Sequence, residues 1–545
     1  MIKRALISVF DKSGIVEFAS VLDKLDIEIL STGGTAKKLK EEKIRVTDVS
    51  DYTGFPEMMG GRVKTLHPKI HGGLLAVRNN IAHMIEAKEN KIGMIDMVVV
   101  NLYPFEESVK KNLVFDDTIE MIDIGGPAMI RSAAKNFRDV LVVIDPCDYG
   151  WIIELLKEGK EIAFQKRKEL AKKVFEKTSA YDAAISQYLA GGNCSDSMWP
   201  DNIFLSYKKK QEMRYGENPY QVAAFYTDSQ QQEIGIGNAQ QLCGKELSYN
   251  NIMDADASLD LIKEFSDPCA VIIKHANPCG VASCEKIEDA LIKAYNADSL
   301  SAFGGIIALN RICNIGCANF LNEKFIEVII APDYDRDALE LLMKSKNRRI
   351  LKLPILTDFY HQSQREKLTN KKVKGGLLVQ TTTFPDLDID KIKIVQNENP
   401  TKEDIGVLIE NAKKNTVREF LCVTKKKPSK EQLIDMIFAI KVSRYTKSNT
   451  IIYVKDKVTI GIGAGQMSRV DAARIATQKA GEKAIGSVMV SDAFFPFRDT
   501  VDEAAKAGIA AIVQPGGSIR DKESIDAANE HNMTMIFTGI RLFKH

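Results

Sequence analysis

Ala270-Val-Ile-Ile-Lys-His-Ala-Asn-Pro-Cys-Gly-Val-Ala282 places two proton-handling side chains, Lys274 and His275, at the end of an apolar run. Residues 270–273 read as a buried strand, and Asn277-Pro-Cys-Gly280 as the turn that ends it. A lysine and a histidine at such a boundary face a crevice, where a base and a cation are chemically useful. The plain alternative is a surface lysine beside a core histidine.

The same stretch is partly similar to zinc nucleobase deaminases, whose His-x-Glu and Pro-Cys-x-x-Cys segments hold the metal. Here Asn277 stands where the acid–base glutamate belongs, and an amide shuttles no proton. The cysteine after Cys279 is Cys284, with four residues between them instead of two, so the paired thiolates are absent. No zinc is expected. A related backbone without the metal stays open.

The surrounding chain is long for one core: 545 residues predict two to four domains. Apolar content of 45% and charged content of 27% are those of an ordinary globular protein. A net charge of +2, from 75 basic and 73 acidic residues, gives no global field for nucleic acid, so any anionic ligand must be held locally. Nine cysteines lie scattered without a framework, which fits reduced thiols. Asp11-Lys12 cuts the first apolar run short of a signal segment, and no run reaches the roughly 18 apolar residues of a membrane span. The expected setting is cytoplasmic, with no membrane or nucleic-acid partner.

Strand-like runs at 5–10, 27–30, 97–100 and 140–144 alternate with helical stretches at 14–25 and 35–42, which predicts an α/β unit with a mostly parallel sheet. Residues 151–190 read as two polar-faced helices. Gly191-Gly-Asn-Cys-Ser-Asp-Ser-Met-Trp-Pro200 reads as a linker, giving domains of about 1–200 (core 1–145) and 201–545. Further strands are expected at 270–273, 305–309, 328–331, 450–454, 484–491 and 510–513, so the second part is also α/β. Residues 270–282 and 449–469 each run from an apolar strand into a Gly-containing turn, the pattern of a duplicated subdomain.

Two clusters in the first part suit a phosphate. Glu28-Ile-Leu-Ser-Thr-Gly-Gly-Thr-Ala36 is a strand, a Gly-Gly turn and a helix start, with Thr35 as cap. A well-capped connection without a ligand is the plain alternative. Met59-Gly-Gly-Arg-Val-Lys-Thr-Leu-His-Pro-Lys-Ile-His-Gly-Gly73 crowds Arg62, Lys64, Thr65, His67, Lys69 and His71 into one loop between glycine pairs; a basic surface patch is its bland reading. Tyr103 in Asn101-Leu-Tyr-Pro-Phe105 and Asp123 in Met121-Ile-Asp-Ile-Gly-Gly-Pro127 fall at strand ends, and Lys135 lies on the helix that follows.

These motifs, in this order and followed by Arg214-Tyr-Gly-Glu-Asn-Pro219 and the Lys274-His275 segment, closely resemble the bifunctional purine biosynthesis family. That family couples phosphoribosylaminoimidazolecarboxamide (AICAR) formyltransferase to inosine monophosphate (IMP) cyclohydrolase, and the resemblance spans essentially the whole chain. It implies a methylglyoxal-synthase-like first domain, then a formyltransferase domain of two zinc-free cytidine-deaminase-like subdomains. It also implies the last two steps of IMP synthesis, with 10-formyltetrahydrofolate as co-substrate, and a homodimer.

Residue by residue, the resemblance puts Lys12, Thr32, Gly33, Gly34, Thr35, Arg62 and Thr65 around the nucleotide of the cyclohydrolase. Lys64, Tyr103, Asp123 and Lys135 are the expected catalytic groups. In the transferase, Lys274 and His275 match the catalytic pair, and Asn449 a position beside the carboxamide. Arg214 and Tyr215 hold nucleotide, and Arg541 supplies a phosphate contact across a dimer interface. Gln466, Arg469, Phe494, Phe495, Pro496 and Phe497 belong to folate-side loops; read alone, the aromatics are equally core residues. Phe10, Tyr220 and Lys544 depart from the pattern. A nucleotide sensor without chemistry is the competing class, and it has no use for Lys274 and His275 together.

Overall fold

The computed structural model describes residues 2–111, 113–190, 199–228, 235–354, 368–382, 384–385 and 387–545. Most of the expected linker, 191–198, lies outside them. The chain divides into two compact units, Met1–Tyr207 with Asp228–Gln231, and Lys208–Thr227 with Gln232–His545.

The first unit carries a five-stranded sheet in the order Thr47–Asp48, Glu28–Ser31, Arg4–Val9, Met97–Asn101, Leu141–Val143. Every neighbouring pair in it is parallel. Val98, Val99 and Val100 are all buried, as continuous apolar strands must be when both faces of a parallel sheet are covered. Helix Ile15–Lys24 buries Ile15, Phe18, Ala19 and Leu22, one stripe at helical spacing. Thr47–Asp48 is too short for any periodicity to announce. The expected helices of 151–190 are Tyr149–Lys157 and Phe164–Ala190.

The second unit is organised by a thirteen-stranded sheet whose middle is the antiparallel contact of Asn277–Ser283 with Val458–Gly463. Outward on one side come Cys269–Lys274, Ile306–Leu309, Val328–Ala331, Arg349–Lys352 and Gln240–Cys243, with successive orientations antiparallel, antiparallel, parallel, parallel, antiparallel. On the other side Ile451–Lys455, Val488–Ser491, Ala511–Gln514, Thr534–Phe537 and Glu419–Cys422 repeat that order, and Lys393–Gln396 adds one edge strand. The duplication expected from 270–282 and 449–469 is thus present across each half.

Each half carries a 14-residue helix, Tyr249–Ile262 or Lys430–Ser443, capped by Ser248 or Ser429. Beyond the ends of these helices, Glu264 accepts from Arg444 at 2.9 Å and from the Tyr445 hydroxyl at 2.8 Å, a buried join between the two halves.

Asn277-Pro-Cys-Gly280 is not the turn that the sequence led us to expect. It opens the strand Asn277–Ser283, and the turn is His275-Ala276. Proline and glycine misdirect here because Pro278 sits at a register shift, where a missing N–H is tolerated. Gly280 serves close packing instead, since a Cβ there would overlap the Ala294 carbonyl oxygen. Similarly, 484–491 is strand only from Val488; Gly486, at φ 78°, turns the chain before it.

Candidate functional site

In the first unit, Glu28–Ser31 runs straight into helix Gly33–Glu41. The first N–H groups of a helix have no partner within it, and the dipole makes that end positive. Two ammonium groups sit over the same end. A Cβ on Gly33 would lie 3.5 Å from Lys64 Nζ, and one on Gly34 4.0 Å from Lys12 Nζ. Backbone and two lysines together have the chemistry of an anion cradle, and Lys64 Nζ is also paired with Glu57 at 2.9 Å.

Thr32, not Thr35, occupies the N-cap position, in an extended conformation. Thr35 is buried; its hydroxyl accepts from Val9 N at 3.1 Å and donates to Val9 O at 3.0 Å, so it pins the helix to the first strand and does not face the cradle.

A second helix start, that of Gly125–Lys135, adjoins the first through Lys64-Thr65. Thr65 is buried with Oγ1 2.9 Å from where a Gly125 Cβ would be. Asp123 Oδ1 accepts from Gly126 N at 2.9 Å. Burial pushes the Asp123 carboxyl above its ordinary range, against the opposing pull of the Gly126 and Tyr103 N–H groups. Tyr103 is exposed and meets Phe10 edge-on at 5.4 Å. Asn101 Oδ1 accepts from Phe10 N at 2.6 Å and Asp11 N at 3.0 Å, fixing the loop that bears Lys12.

Two expected members stand apart. Arg62 is exposed and paired with Glu120. Lys135 is exposed at the far end of its helix, roughly 15 Å along the axis from Gly125.

In the second unit, His275 and Ala276 form a two-residue hairpin turn between paired Lys274 and Asn277. Their φ values are 54° and 57°, the left-handed pair that defines a type I′ turn and that Asn-Gly usually supplies. Each such residue with a Cβ costs roughly 1–2 kcal/mol. Asp254 offsets this, because its Oδ2 accepts from His275 N at 3.1 Å and its Oδ1 from Ala276 N at 2.7 Å. Hydrogen bonds to a charged group contribute about 1.5–3 kcal/mol each. His275 is exposed, while half-buried Lys274 donates from Nζ to Phe303 O at 2.8 Å.

The turn is tied to distant segments by a hydrogen-bonded chain. Asn277 Oδ1 accepts from Lys447 N at 3.0 Å. Asn449 Nδ2 donates to Gln466 O at 2.9 Å and Met467 O at 3.1 Å. Ser448 N donates to Lys544 O at 2.9 Å, and Leu542 N to Asp492 O at 2.8 Å. The last five residues are therefore anchored beside Asn449. Arg541 is exposed there, its guanidinium 4.8 Å from the Phe543 ring centre. Lys544 is held below the usual ammonium range by burial, which outweighs the upward effect of Asp260 and Asp256.

Around this chain the expected folate-side residues differ in availability. Phe494, Pro496 and Phe497 are exposed, whereas Phe495 is fully buried in the core with Tyr453, Met489 and Val501, and so offers no face to a ligand. Arg469 pairs with buried Asp492 at 3.1 Å. Arg214 and Tyr215 line a cleft of about 540 Å³ with Lys245, Arg348 and Arg349. Phe325, from the same cleft, packs 5.0 Å from Phe303, the residue that holds Lys274. Among the described residues no group of three or more His, Cys, Asp or Glu side chains is placed to hold a metal ion.

The family model of the AICARFT/IMPCHase bienzyme matches residues 133–410 and 404–479, and that of the MGS-like domain residues 14–128. The bifunctional purine biosynthesis protein of Acetivibrio thermocellus is 50% identical over 546 aligned residues, and that of Bacillus subtilis 48% over 545; both alignments cover 100% of each chain. The chain belongs to the AICARFT/IMPCHase bienzyme family. It is a bifunctional enzyme, formyltransferase and cyclohydrolase, of the last two steps of IMP synthesis.

Three residues of this bienzyme that the geometry singles out were missed in the sequence. Asn101 and Asn277 were quoted within motifs but given no task, although an Asn flanking a turn is a recognised signal for side-chain-to-backbone bonding. Asp254 left no local trace, because it acts on residues 21 and 22 positions away.

Proposed function

We propose that cyclisation takes place in residues 1–200 and formyl transfer in residues 201–545. In the first site the nucleotide phosphate rests on the start of helix Gly33–Glu41 under Lys12. Ring closure forms the bond between the carboxamide nitrogen and the formamide carbon, then expels water. An amide is a poor nucleophile, so orientation and oxyanion stabilisation supply most of the rate. Asp123, with its raised carboxyl, orients the amide and passes a proton. Lys64 stabilises the oxyanion or protonates the departing water and Tyr103 lines the site, while Lys135, at the opposite end of its helix, takes no part.

In the second site the 5-amino group of AICAR attacks the formyl carbon of 10-formyltetrahydrofolate. His275 takes the amine proton, and Lys274 stabilises the oxyanion and protonates the departing folate nitrogen. Arg214 and Tyr215 hold the nucleotide, Asn449 sits beside the carboxamide, and Gln466, Phe494, Pro496 and Phe497 form the folate side. Arg541 reaches the nucleotide phosphate of a second copy of the chain in a homodimer.

The observation carrying this reading is the hairpin turn that presents Lys274 and His275 beside the anchored Asn449 segment. Incubation of the chain with AICAR and 10-formyltetrahydrofolate, followed by product identification, tests it. Formyl-AICAR and then IMP are expected; no formylated product refutes the assignment of donor and acceptor. A fragment of residues 1–200 is expected to convert supplied formyl-AICAR to IMP without folate, and a folded fragment lacking that activity refutes the division.

A further inference from the structure

We propose that Asp254 is a positioning residue for formyl transfer, acting through the backbone of the His275-Ala276 turn. The proposal rests on reading Lys274 and His275 as the transfer pair. Alanine disfavours the left-handed region and histidine enters it only as a minority conformation, so the sequence of the turn does not by itself select its conformation. The selecting contact is external. The two Asp254 carboxylate oxygens accept from the two turn amides, at 3.1 and 2.7 Å.

Without that clamp the loop relaxes toward negative φ, whose twist splays the flanking strands and re-aims the imidazole. Lys274 stays behind, because its Nζ is tied to Phe303 O at 2.8 Å. The base and the cation then no longer address one substrate geometry. A misplacement of about 1 Å is enough to cost on the order of 10²-fold in rate.

The second half contains the same device without the chemistry. Asp435 Oδ2 accepts from Asp456 N at 3.0 Å and Oδ1 from Lys457 N at 2.7 Å. Those turn residues have φ values of 55° and 57°. Both clamps span 21 residues, and each aspartate lies on the capped 14-residue helix of its half. Asp435 is therefore a matched control: its loss perturbs an equivalent turn that presents no histidine.

The experiment compares Asp254→Asn, Asp435→Asn and His275→Ala in the full chain, measuring kcat and KM for formyl transfer, calorimetric stoichiometry for AICAR, and melting temperature. An asparagine keeps one acceptor and presents an NH2 group to the other amide, so one of the two clamp contacts is lost at unchanged size. We expect Asp254→Asn to lose at least about 30-fold in kcat with KM within about threefold and full AICAR stoichiometry, the signature of misaligned but folded sites. Asp435→Asn should lower the melting temperature to a similar extent and leave kcat within about twofold.

Adding Ala276→Gly to Asp254→Asn should recover part of kcat, because glycine enters the left-handed region without a Cβ penalty. Wild-type kcat in Asp254→Asn, equal losses in Asp254→Asn and Asp435→Asn, or no recovery with glycine would each overturn the proposal. If Asp254→Asn does not fold, Asp254→Glu, which shifts the carboxylate by one methylene, is judged on the same constants. Retention of formyl transfer by His275→Ala overturns the underlying reading. Loss in His275→Ala with wild-type kcat in Asp254→Asn overturns the positioning role alone.

Discussion

The two halves of the second unit share strand order, helix cap and turn clamp, yet one turn reads Lys274-His275-Ala276 and the other Lys455-Asp456-Lys457. The scaffold is duplicated and the proposed chemistry is not. A turn of left-handed residues held by an aspartate is thus a property of the fold, on which one copy places a histidine. In the second copy Lys457 is spent on an ion pair with Asp267 at 3.2 Å.

The largest expected effect separates the copies directly. His275→Ala or Lys274→Ala should lower formyl transfer by about 10²–10⁴-fold while cyclisation of supplied formyl-AICAR is unchanged. Asp456→Ala and Lys455→Ala should leave both rates within about twofold. Equal losses from both turns would make the halves functionally alike.

Asp123 extends the contrast to the first unit. Its folded carboxyl lies above the ordinary range through burial, so its contribution to stability is complete below that range and is lost as pH rises through the raised folded value. Asp123→Asn should therefore melt no lower than wild type at pH 8, while cyclisation falls by about 10²-fold or more. A melting temperature well below wild type at that pH would make Asp123 a structural group.

Arg541 tests whether the first half works with a neighbouring chain. Arg541→Ala should weaken formyl transfer about ten- to hundred-fold, mainly through nucleotide affinity, since one charge-assisted contact contributes roughly 1.5–3 kcal/mol. Mixing Arg541→Ala with His275→Ala chains should restore some transfer; verified heterodimers without recovery would exclude a shared site. The smallest effect tests the scaffold alone. A Cβ on Gly280 or Gly461 would overlap a helix carbonyl, of Ala294 or Ala476, so alanine at either should destabilise by a similar amount, about 1–3 kcal/mol. Unequal melting temperatures would show that the halves pack differently.

Much of this was legible because apolar strands announce themselves. The runs at 5–10, 97–100 and 328–331 emerged within about a residue of Arg4–Val9, Met97–Asn101 and Val328–Ala331, where burial on both faces enforces continuous hydrophobicity. Tyr207–Met213 and Leu368–Val373, largely exposed and lysine-rich, carried no such signal. Glycine and proline near His275 pointed to a turn but two residues too late, since a bulge and a helix contact also call for them. At the sites, residue type and turn chemistry drew attention to Lys64 and Asp123, but the loop expected over 59–73 is helical from Pro68 to Leu75, which puts Lys69 and His71 on a helix. The buried hydroxyl of Thr35, the core position of Phe495 and the reach of Asp254 depend on what the folded chain brings near, which local pattern does not encode.

The central claim, two reactions at two separate places on one chain, is tested most directly by complementation. Asp123→Asn and His275→Ala chains, each supplied with AICAR and 10-formyltetrahydrofolate, should fail to make IMP alone, the first accumulating formyl-AICAR and the second leaving AICAR unchanged. Mixed, they should make IMP, because the formylated product of one is the substrate of the other. A mixture that stays inactive although the Asp123→Asn chain still forms formyl-AICAR, or either variant making IMP alone at the wild-type rate, would contradict the account.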